Sequence, residues 1–276
     1  MPGAGGPPPR LPSTLLLGLH RGVIELKTFT REWDAVVFSF ALPIVTLALL
    51  GSLFSGSYPG SDVTAAQYLA PSMISAGVAA TTFVNLGGGI ATDRDDGTLR
   101  RLRAVPMPAT AYFVGKIMQA AVVSAAEAAL LLTVGMVLFG VRLPVDARHW
   151  LTLGWVFLLG ATACAMLGIA VTGLIRSARS AAAVTQLPYL VSSFVSGIYV
   201  TPVGALPQPL LVLGSIFPLK WMAQGFRSAL LPDTILGAEA VPRWEHGRIA
   251  VILTAWCIGG LLLCLTTFRW RGRRDR

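Results

Sequence analysis

Charged residues are scarce in this chain. They make up 13% of its 276 residues, whereas hydrophobic residues make up 54%, and the mean hydropathy is +0.67. Soluble domains carry about 25% charged residues. This composition therefore excludes an ordinary soluble domain and indicates a protein that crosses the membrane several times. The net charge is +9, but no RNA- or DNA-binding motif accompanies it, and we expect no nucleic-acid partner.

The residue types that perform chemistry are also few. The chain has three cysteines, in no CxxC or Cys/His cluster, and its three histidines, His20, His149 and His246, lie outside the predicted spans. No aspartate falls within a span. A hydrolase at membrane depth needs a Ser/His pair, paired acids or a metal site. We therefore expect no catalytic residue, no metal site and no cofactor in this chain.

The phosphate-binding motif G-x-x-x-x-G-K-[ST] is absent from the sequence. The glycine-rich stretch NLGGGIATD, residues 85–93, lacks the Lys-Ser/Thr pair and has no strand before it. We interpret Gly87, Gly88 and Gly89 as residues of close helix packing or a flexible span end. The sequence thus predicts that the chain itself binds no ATP.

Long apolar runs dominate what is present. A membrane-spanning helix needs about 20 mostly apolar residues. We predict spans at about 36–54, 67–91, 113–139, 151–175, 181–200 and 249–268. The apolar window 117–139 of the third span carries one charge, Glu127. Residues 201–230 are also apolar, but four prolines divide them into pieces too short to span: Pro202, Pro207, Pro209 and Pro218. This predicts broken helices at, or dipping into, one face.

Lysine and arginine are sorted between the connections. Sixteen of the 22 fall in the N-terminal segment, the 92–116 and 176–180 connections and the C-terminal segment. The other side has six: Arg142, Arg148, Lys220, Arg227, Arg243 and Arg248. Because these residues are retained on the cytoplasmic side, the sorting predicts a cell-membrane protein with both termini in the cytoplasm. On this topology Asp62 and Glu239 are external and Thr98 is internal.

The segments that flank the spans differ in character. Residues 1–12 are rich in proline and glycine and are predicted to be disordered. Residues 13–34 have an apolar stripe at helical spacing, which predicts an amphipathic helix in the cytoplasmic interface: Leu15, Leu19, Leu26, Phe29 and Trp33. The alternative is a helix packed on the cytoplasmic ends of the spans, and both can hold. Residues 269–276 are predicted to form a basic cytoplasmic tail.

The 92–116 connection contains the stretch RDDGTLRRLRAVPMP, residues 94–108. Asp95 and Asp96 precede Gly97 and Thr98, and carboxylates there favour the start of a helix through its dipole. Pro106 and Pro108 follow and end the helix. Leu99 and Leu102 share one face of this helix. The alternative is an ordinary cytoplasmic connection, for which the arginines alone would be enough. The carboxylates at its start and the prolines at its end predict a short helix of defined length that binds a partner.

The stretch RDDGTLRRLRAVPMPATAYFVGK, residues 94–116, resembles the segment between the second and third spans of ABC-2 type permeases. That family reads E-R-E-x-G-T-L-E-x-L, then a proline, then a Gly-Lys pair that opens the third span. The matching residues are Arg94, Asp95, Gly97, Thr98, Leu99, Leu102, Pro106, Gly115 and Lys116. The resemblance extends over most of the chain, and residues 196–231 are most similar to the daunorubicin-resistance type of drug-export permease.

The resemblance implies an all-α permease subunit of an ATP-binding cassette exporter, with a separate ATPase subunit that binds ATP and Mg. In the family the charged helix docks into a groove on that ATPase. The implied coupling residues are Arg94, Asp95, Asp96, Gly97, Thr98, Leu99, Arg100, Arg101 and Leu102. We expect the leucines in an apolar groove and the arginines on an acidic rim. Because Arg100 stands where the family often has an acid, we expect an ATPase with a compensating acid.

One such chain lacks the surface for a closed pathway, so we expect two permease subunits, identical or related, and two ATPase copies in the bilayer. The implied cargo is an amphipathic drug, antibiotic or lipid-like compound; the alternative is a lipid-linked glycan or polysaccharide. An ion-coupled secondary transporter ranks lower, because such carriers keep several ionisable groups at mid-membrane. This chain keeps only Glu127, which either lines the substrate pathway or is a neutral, hydrogen-bonded acid near Gln119 or Asn85.

Overall fold

The computed structural model describes residues 13–54, 56–104, 108–175 and 177–267. Within these ranges the regular structure is helical, apart from one isolated bridge between Ser57 and Thr64. A π-helical turn, Ala80–Asn85, joins α3 to α4. The helices are α1 (Thr14–Arg31), α2 (Trp33–Leu53), α3 (Ala65–Ala79), α4 (Leu86–Asp95), α5 (Thr98–Arg103), α6 (Ala109–Phe139), α7 (Ala147–Val171), α8 (Ala178–Val195), α9 (Gln208–Gly214), α10 (Pro218–Leu230) and α11 (His246–Thr267). The two tails predicted at 1–12 and 269–276 lie outside the described residues, as does Pro106.

Five helical segments of the described chain are long and apolar enough to cross a membrane, so this is a multi-pass membrane protein. They are Val36–Leu53, Ala65–Asp95, Thr110–Phe139, Ala147–Val171 and His246–Thr266. Each overlaps a span predicted from the sequence. The predicted span at 181–200 corresponds to α8, which has 18 residues and ends at Val195. A count of six spans, with α8 as the fifth of them in chain order, stays a prediction.

The first turns of the helices follow from local sequence. Thr64 Oγ1 accepts a hydrogen bond from Gln67 N at 3.2 Å, and Gln67 Oε1 accepts one from Thr64 N at 3.0 Å. This reciprocal capping box starts α3. Ser13 Oγ accepts a bond from Leu16 N in the same way at the start of α1. Such caps satisfy N–H groups that a helix start leaves without a partner.

The central span is the continuous segment formed by α3, the π-helical turn and α4. It contacts α2, α6 and α10 along α3, and α7 and α8 along α4. Tyr189 of α8 donates a hydrogen bond from its hydroxyl to the carbonyl of Ala76 at 3.1 Å. The outer spans expose apolar side chains, such as Phe38 of α2 and Val137 of α6, each about three-quarters exposed. Lipid is as apolar as these side chains, so no protein needs to cover them.

Two cysteine contacts fix the relative direction of α7 and α11. Cys257 Sγ donates to Leu159 O at 3.3 Å, and Cys264 Sγ donates to Met166 O at 3.0 Å. The two helices therefore run in parallel, and His246 lies at the same end as Ala147. The other end holds the end of α7 and, as described below, α5. We call the end that holds Ala147 and His246 the opposite side, and the end that holds α5 the α5 side.

The pieces predicted between the fifth and sixth spans are α9 and α10, which form a hairpin. Trp256 Nε1 donates to Ile216 O in the connecting turn at 2.8 Å. Trp256 lies ten residues into α11, about 15 Å from its start at 1.5 Å per residue. His246, at the start of α11, contacts Ser228 near the end of α10, with Nε2 and Oγ 3.1 Å apart. The hairpin thus enters the membrane from the opposite side and returns to it.

Candidate functional site

The candidate coupling site is the charged segment between α4 and α6. α4 ends at Asp95, and α5 covers Thr98–Arg103 as the sequence predicts. Gly97 turns the chain between them with a φ of +79°, a conformation that favours glycine. Asp96 Oδ1 accepts a hydrogen bond from Thr98 N at 2.9 Å. Slight burial acts to raise the pKa of Asp96, but this bond and the nearby Arg101 outweigh it, and the pKa is lowered.

Leu99 was expected to lie in a groove of the ATPase, but in this structure the chain's own spans cover it. Its side chain is 3% exposed and lies in a cluster of this chain's own core that includes Ile90 of α4, Tyr112 of α6 and Ile169 of α7. Leu102 is partly buried against the same cluster. A short helix beside three spans buries its apolar face on them, because that surface is available before any partner binds. Leu99 therefore anchors α5 to the spans.

Arg94 was expected on the acidic rim of the ATPase, and here too the structure differs. Arg94 Nη1 donates to Thr172 O at 3.0 Å, and Nη2 donates to Ile175 O. Thr172 is the C-cap residue of α7 and Ile175 follows three residues later, so both carbonyls lie just beyond the C-terminal end of this helix. A cation there also interacts favourably with the helix dipole. Arg94 thus ties α4 to the end of α7.

A network of buried charges lies beneath the segment and joins α1, α4 and α6. Lys116 Nζ lies 2.8 Å from Glu25 Oε2 of α1 and 2.8 Å from Asp93 Oδ2 of α4. Arg21 also pairs with Glu25, and the Tyr112 hydroxyl donates to Asp93 Oδ2 at 2.8 Å. The sequence singled out Lys116 within the Gly-Lys pair but gave Glu25 and Asp93 no role. The network explains Lys116 as the cation that two buried acids share.

The glycine of the same pair allows α1 to approach α6. A Cβ at Gly115 would lie 2.8 Å from Arg21 Cγ and 3.0 Å from Gly22 N, closer than side chains pack. The buried face of α1 consists of Gly18, Gly22 and Glu25, whereas Leu15 and Leu19 are exposed. Packing on the ends of the spans, the alternative for this helix, is therefore present. Its exposed apolar stripe stays predicted to lie in the membrane interface, and Trp33 begins α2 instead of extending that stripe.

The outward surface of the coupling segment is charged. Asp95, Asp96, Arg100 and Arg101 are exposed, and Arg101 Nη2 donates to Thr98 Oγ1 at 3.0 Å. Arg100 and Arg101 lie on α5 and the two acids lie just before it, so the surface carries both signs of charge, and the other face of α5 is fixed to the spans. The arrangement can bind a partner of complementary charge and transmit a displacement of that partner to α4, α6 and α7.

Glu127, the candidate pathway residue, is enclosed at the middle of α6. It is 1% exposed, and Oε2 accepts a hydrogen bond from Thr81 Oγ1 of the π-helical turn at 2.6 Å. Oε1 lies against Gly77 and has no hydrogen-bond partner among the described residues. The partners expected from the sequence were Gln119 and Asn85, but Asn85 Nδ2 donates to Ser39 Oγ instead. In this conformation Glu127 connects α6 to the central span.

A second buried ion pair, which the sequence did not indicate, lies on the opposite side. Arg227 of α10 and Glu239 are joined by two hydrogen bonds, Nε to Oε1 at 2.5 Å and Nη2 to Oε2 at 3.1 Å. Arg227 Nη1 also donates to Ser72 Oγ of α3, and the Tyr68 hydroxyl donates to Glu239 Oε1. Glu239 was expected to be accessible from outside, but it is buried. The pair fixes the end of the re-entrant hairpin to the central span.

Comparison with known proteins gives two matches. The family described as "ABC-2 type transporter" matches residues 23–231, which include the second half of α1, the coupling segment and both helices of the hairpin. A protein of Bacillus subtilis (strain 168) named "Putative transport permease YvfS" is 22% identical over 205 residues. That alignment covers 74% of this chain and 82% of the relative. Among the described residues, no group of three or more His, Cys, Asp or Glu side chains could hold a metal ion.

Proposed function

This chain belongs to the ABC-2 type transporter family, and from that premise we propose that it is the permease subunit of an ATP-driven exporter. Membership makes it the membrane component of an ABC transporter, a class in which an ATPase partner supplies the energy. The proposed complex contains two permease subunits, identical or related, and two ATPase subunits that bind ATP and Mg. It lies in the cell membrane with both termini of this chain in the cytoplasm.

The anchoring of α5 is the observation that carries the proposal. Leu99 fixes α5 to α4, α6 and α7, Arg94 fixes α4 to the end of α7, and Lys116 joins α1 to the same ends. Packed helices respond to a displacement as rigid bodies because protein interiors have low compressibility. An ATPase that moves the charged face of α5 would therefore move the ends of four helices together. Coupled transport requires such a connection.

The proposed cargo is an amphipathic drug or antibiotic, or a lipid-like compound, and the proposed direction is export. Support comes from the likeness of residues 196–231, with α9 and α10, to the daunorubicin-resistance type of permease. The enclosure of Glu127 supports ATP-driven transport over an ion-coupled carrier. Such a carrier needs an ionisable group at mid-membrane that ions can reach, whereas Glu127 is 1% exposed.

Charge reversal on the exposed face of α5 tests the proposal. Arg100→Glu and Arg101→Glu, alone and combined, should weaken co-purification of the ATPase and lower ATP-dependent transport, with losses that shrink at high salt because exposed charges are screened. Arg142→Glu is the matched control, since Arg142 is exposed and lies in the α6–α7 connection at the opposite side. If the combined variant binds its ATPase and transports as the Arg142→Glu control does, α5 is not the coupling element.

The proposed orientation has its own test in intact cells. A cysteine at the exposed position of Asp62 should react with a membrane-impermeant thiol reagent from outside, and one at the exposed position of Arg100 should not. Glu239 is unsuitable for this purpose because its side chain is buried with Arg227. Labelling of position 100 from outside would contradict the orientation.

A further inference from the structure

Lys220 is a half-buried cation at membrane depth. It lies near the start of α10, two turns before Arg227 and close to the turn that Trp256 contacts. At 1.5 Å per residue, its Cα lies about 12 Å along α10 from Ser228, which marks the opposite side. Cations at such depth are costly, and by default they mark a functional site.

No carboxylate of the described residues forms an ion pair with Lys220. Its Nζ donates to Leu211 O at 3.1 Å and to Ser215 Oγ, both in or next to α9. The nearby acid Glu245 pairs with Arg248 instead, with Oε1 and Nη1 2.8 Å apart. Buried charges are ordinarily paired with an opposite charge. The protein thus satisfies hydrogen bonds of the Lys220 ammonium, but no carboxylate of the described residues pairs with it directly.

A second cation lies against the same aromatic ring. Lys220 Nζ is 5.4 Å and Arg248 Cζ is 5.9 Å from the centre of the Trp221 ring. The Arg248 side chain is largely exposed and lines an open cavity of about 430 Å³ at the start of α11. Trp221 therefore contacts two cations, one at membrane depth and one towards the surface, and of the nearby acids Glu245 is already paired with Arg248.

The surface next to Lys220 is apolar. α9 and the following turn expose Val212, Leu213 and Ile216, each between 43% and 59% exposed. Exposed apolar side chains at this depth can contact lipid without cost, because lipid is equally apolar. An anionic phospholipid has its phosphate at one end of its acyl chains, so a phosphate bound by these cations would place an acyl chain beside the exposed apolar side chains of α9.

We propose that Lys220 and Arg248 bind the phosphate of an anionic membrane phospholipid, with an acyl chain along the exposed face of α9. The lipid phosphate supplies the direct ion pair that Lys220 lacks among the described residues. Bound there, it holds the re-entrant hairpin against the start of α11. The proposal is independent of the cargo and of the direction of transport.

The test measures which lipid remains bound to the full-length chain in nanodiscs with equal amounts of phosphatidylglycerol and phosphatidylcholine, by native mass spectrometry. Wild type should retain phosphatidylglycerol preferentially, and Lys220→Gln and Arg248→Gln should each reduce that preference about tenfold, as loss of one charge-assisted contact predicts. Lys220→Arg should keep it. Arg142→Gln removes the same charge from another connection on the opposite side and should leave the preference unchanged.

A control separates binding from folding. Glutamine at position 220 can still donate a hydrogen bond to the α9 end, so Lys220→Gln should melt at the wild-type temperature in phosphatidylcholine alone. Equal phosphatidylglycerol preference in wild type, Lys220→Gln and Arg248→Gln would overturn the proposal. Displacement of the lipid by millimolar inorganic phosphate would also overturn it, because the site would then recognise a free anion.

Discussion

Truncation of Leu99 separates two roles for the coupling segment. Leu99→Ala removes three carbon atoms from a side chain that is 3% exposed. At about 0.8 kcal/mol per buried methylene the transfer cost is about 2.4 kcal/mol. The cavity left among Ile90, Tyr112 and Ile169 increases this towards the range of about 2–5 kcal/mol seen for buried leucines. With about 3 kcal/mol lost, the melting temperature should fall by roughly 6–12 °C.

The assay compares melting of the purified permease with ATPase affinity below the melting temperature. Leu102→Ala is the matched control, because Leu102 lies on the same helix and is only partly buried; its melting temperature should fall about half as far. Neither variant should change ATPase affinity much, since both side chains contact this chain's own core. An unchanged melting temperature for Leu99→Ala with a large loss of ATPase affinity would show that Leu99 binds the partner, and would refute the reasoning.

Three further predictions concern buried or capping charges. Lys116→Met leaves Asp93 without its cation, while Glu25 keeps Arg21. It should cost up to about 3 kcal/mol, measured as melting against a Lys116→Arg control; equal melting of the two would contradict the network. Glu127→Gln keeps an acceptor for Thr81 and should transport cationic and neutral compounds as wild type does, so a loss confined to cations would show a pathway role. The folded pKa of Asp96 is lowered. Its stabilisation of α5 is therefore present above its unfolded pKa of about 4 and is lost as pH falls through the folded pKa. Asp96→Asn should flatten this dependence of the melting temperature on pH, and an unchanged pH profile would contradict the prediction.

The sequence predicts elements better than it predicts what covers them. Hydropathy places five spans, and the Asp-Gly-Thr start places α5 at Thr98–Arg103. Helical spacing also shows that Leu99 and Leu102 share a face. It contains no information on whether that face contacts a partner or the chain itself, and here the chain's own core covers Leu99.

Contacts between residues distant in sequence account for the other differences. Glu25 and Lys116 are 91 residues apart, and the Arg94 side chain reaches carbonyls about 80 residues away. From a single sequence, a basic residue in a connection between spans is predicted to lie on the surface, because its distant partner cannot be identified. The Gly-Lys pair was a usable signal, because a glycine before a lysine at a span start indicates a close helix approach with a buried cation beside it.

α8 and the hairpin were harder to place. α8 has 18 residues with several polar side chains, and it ends at Val195, where the sequence is still apolar. Apolar residues continue because α9 and α10 also lie within the membrane. Composition cannot distinguish a helix that crosses from one that enters and returns, whereas the contact of Trp256 with Ile216 shows the depth of the turn directly.

Photo-crosslinking in native membranes tests the central claim most directly, namely that an ATPase binds the outward face of α5. A photoreactive amino acid at position 100, in cells that also express the partner ATPase, should capture that ATPase. The extent of capture should differ between membranes without nucleotide and membranes with ATP. The same amino acid at position 142, on the opposite side, should capture none. Absence of ATPase capture from position 100, or equal capture from both positions, would contradict the account.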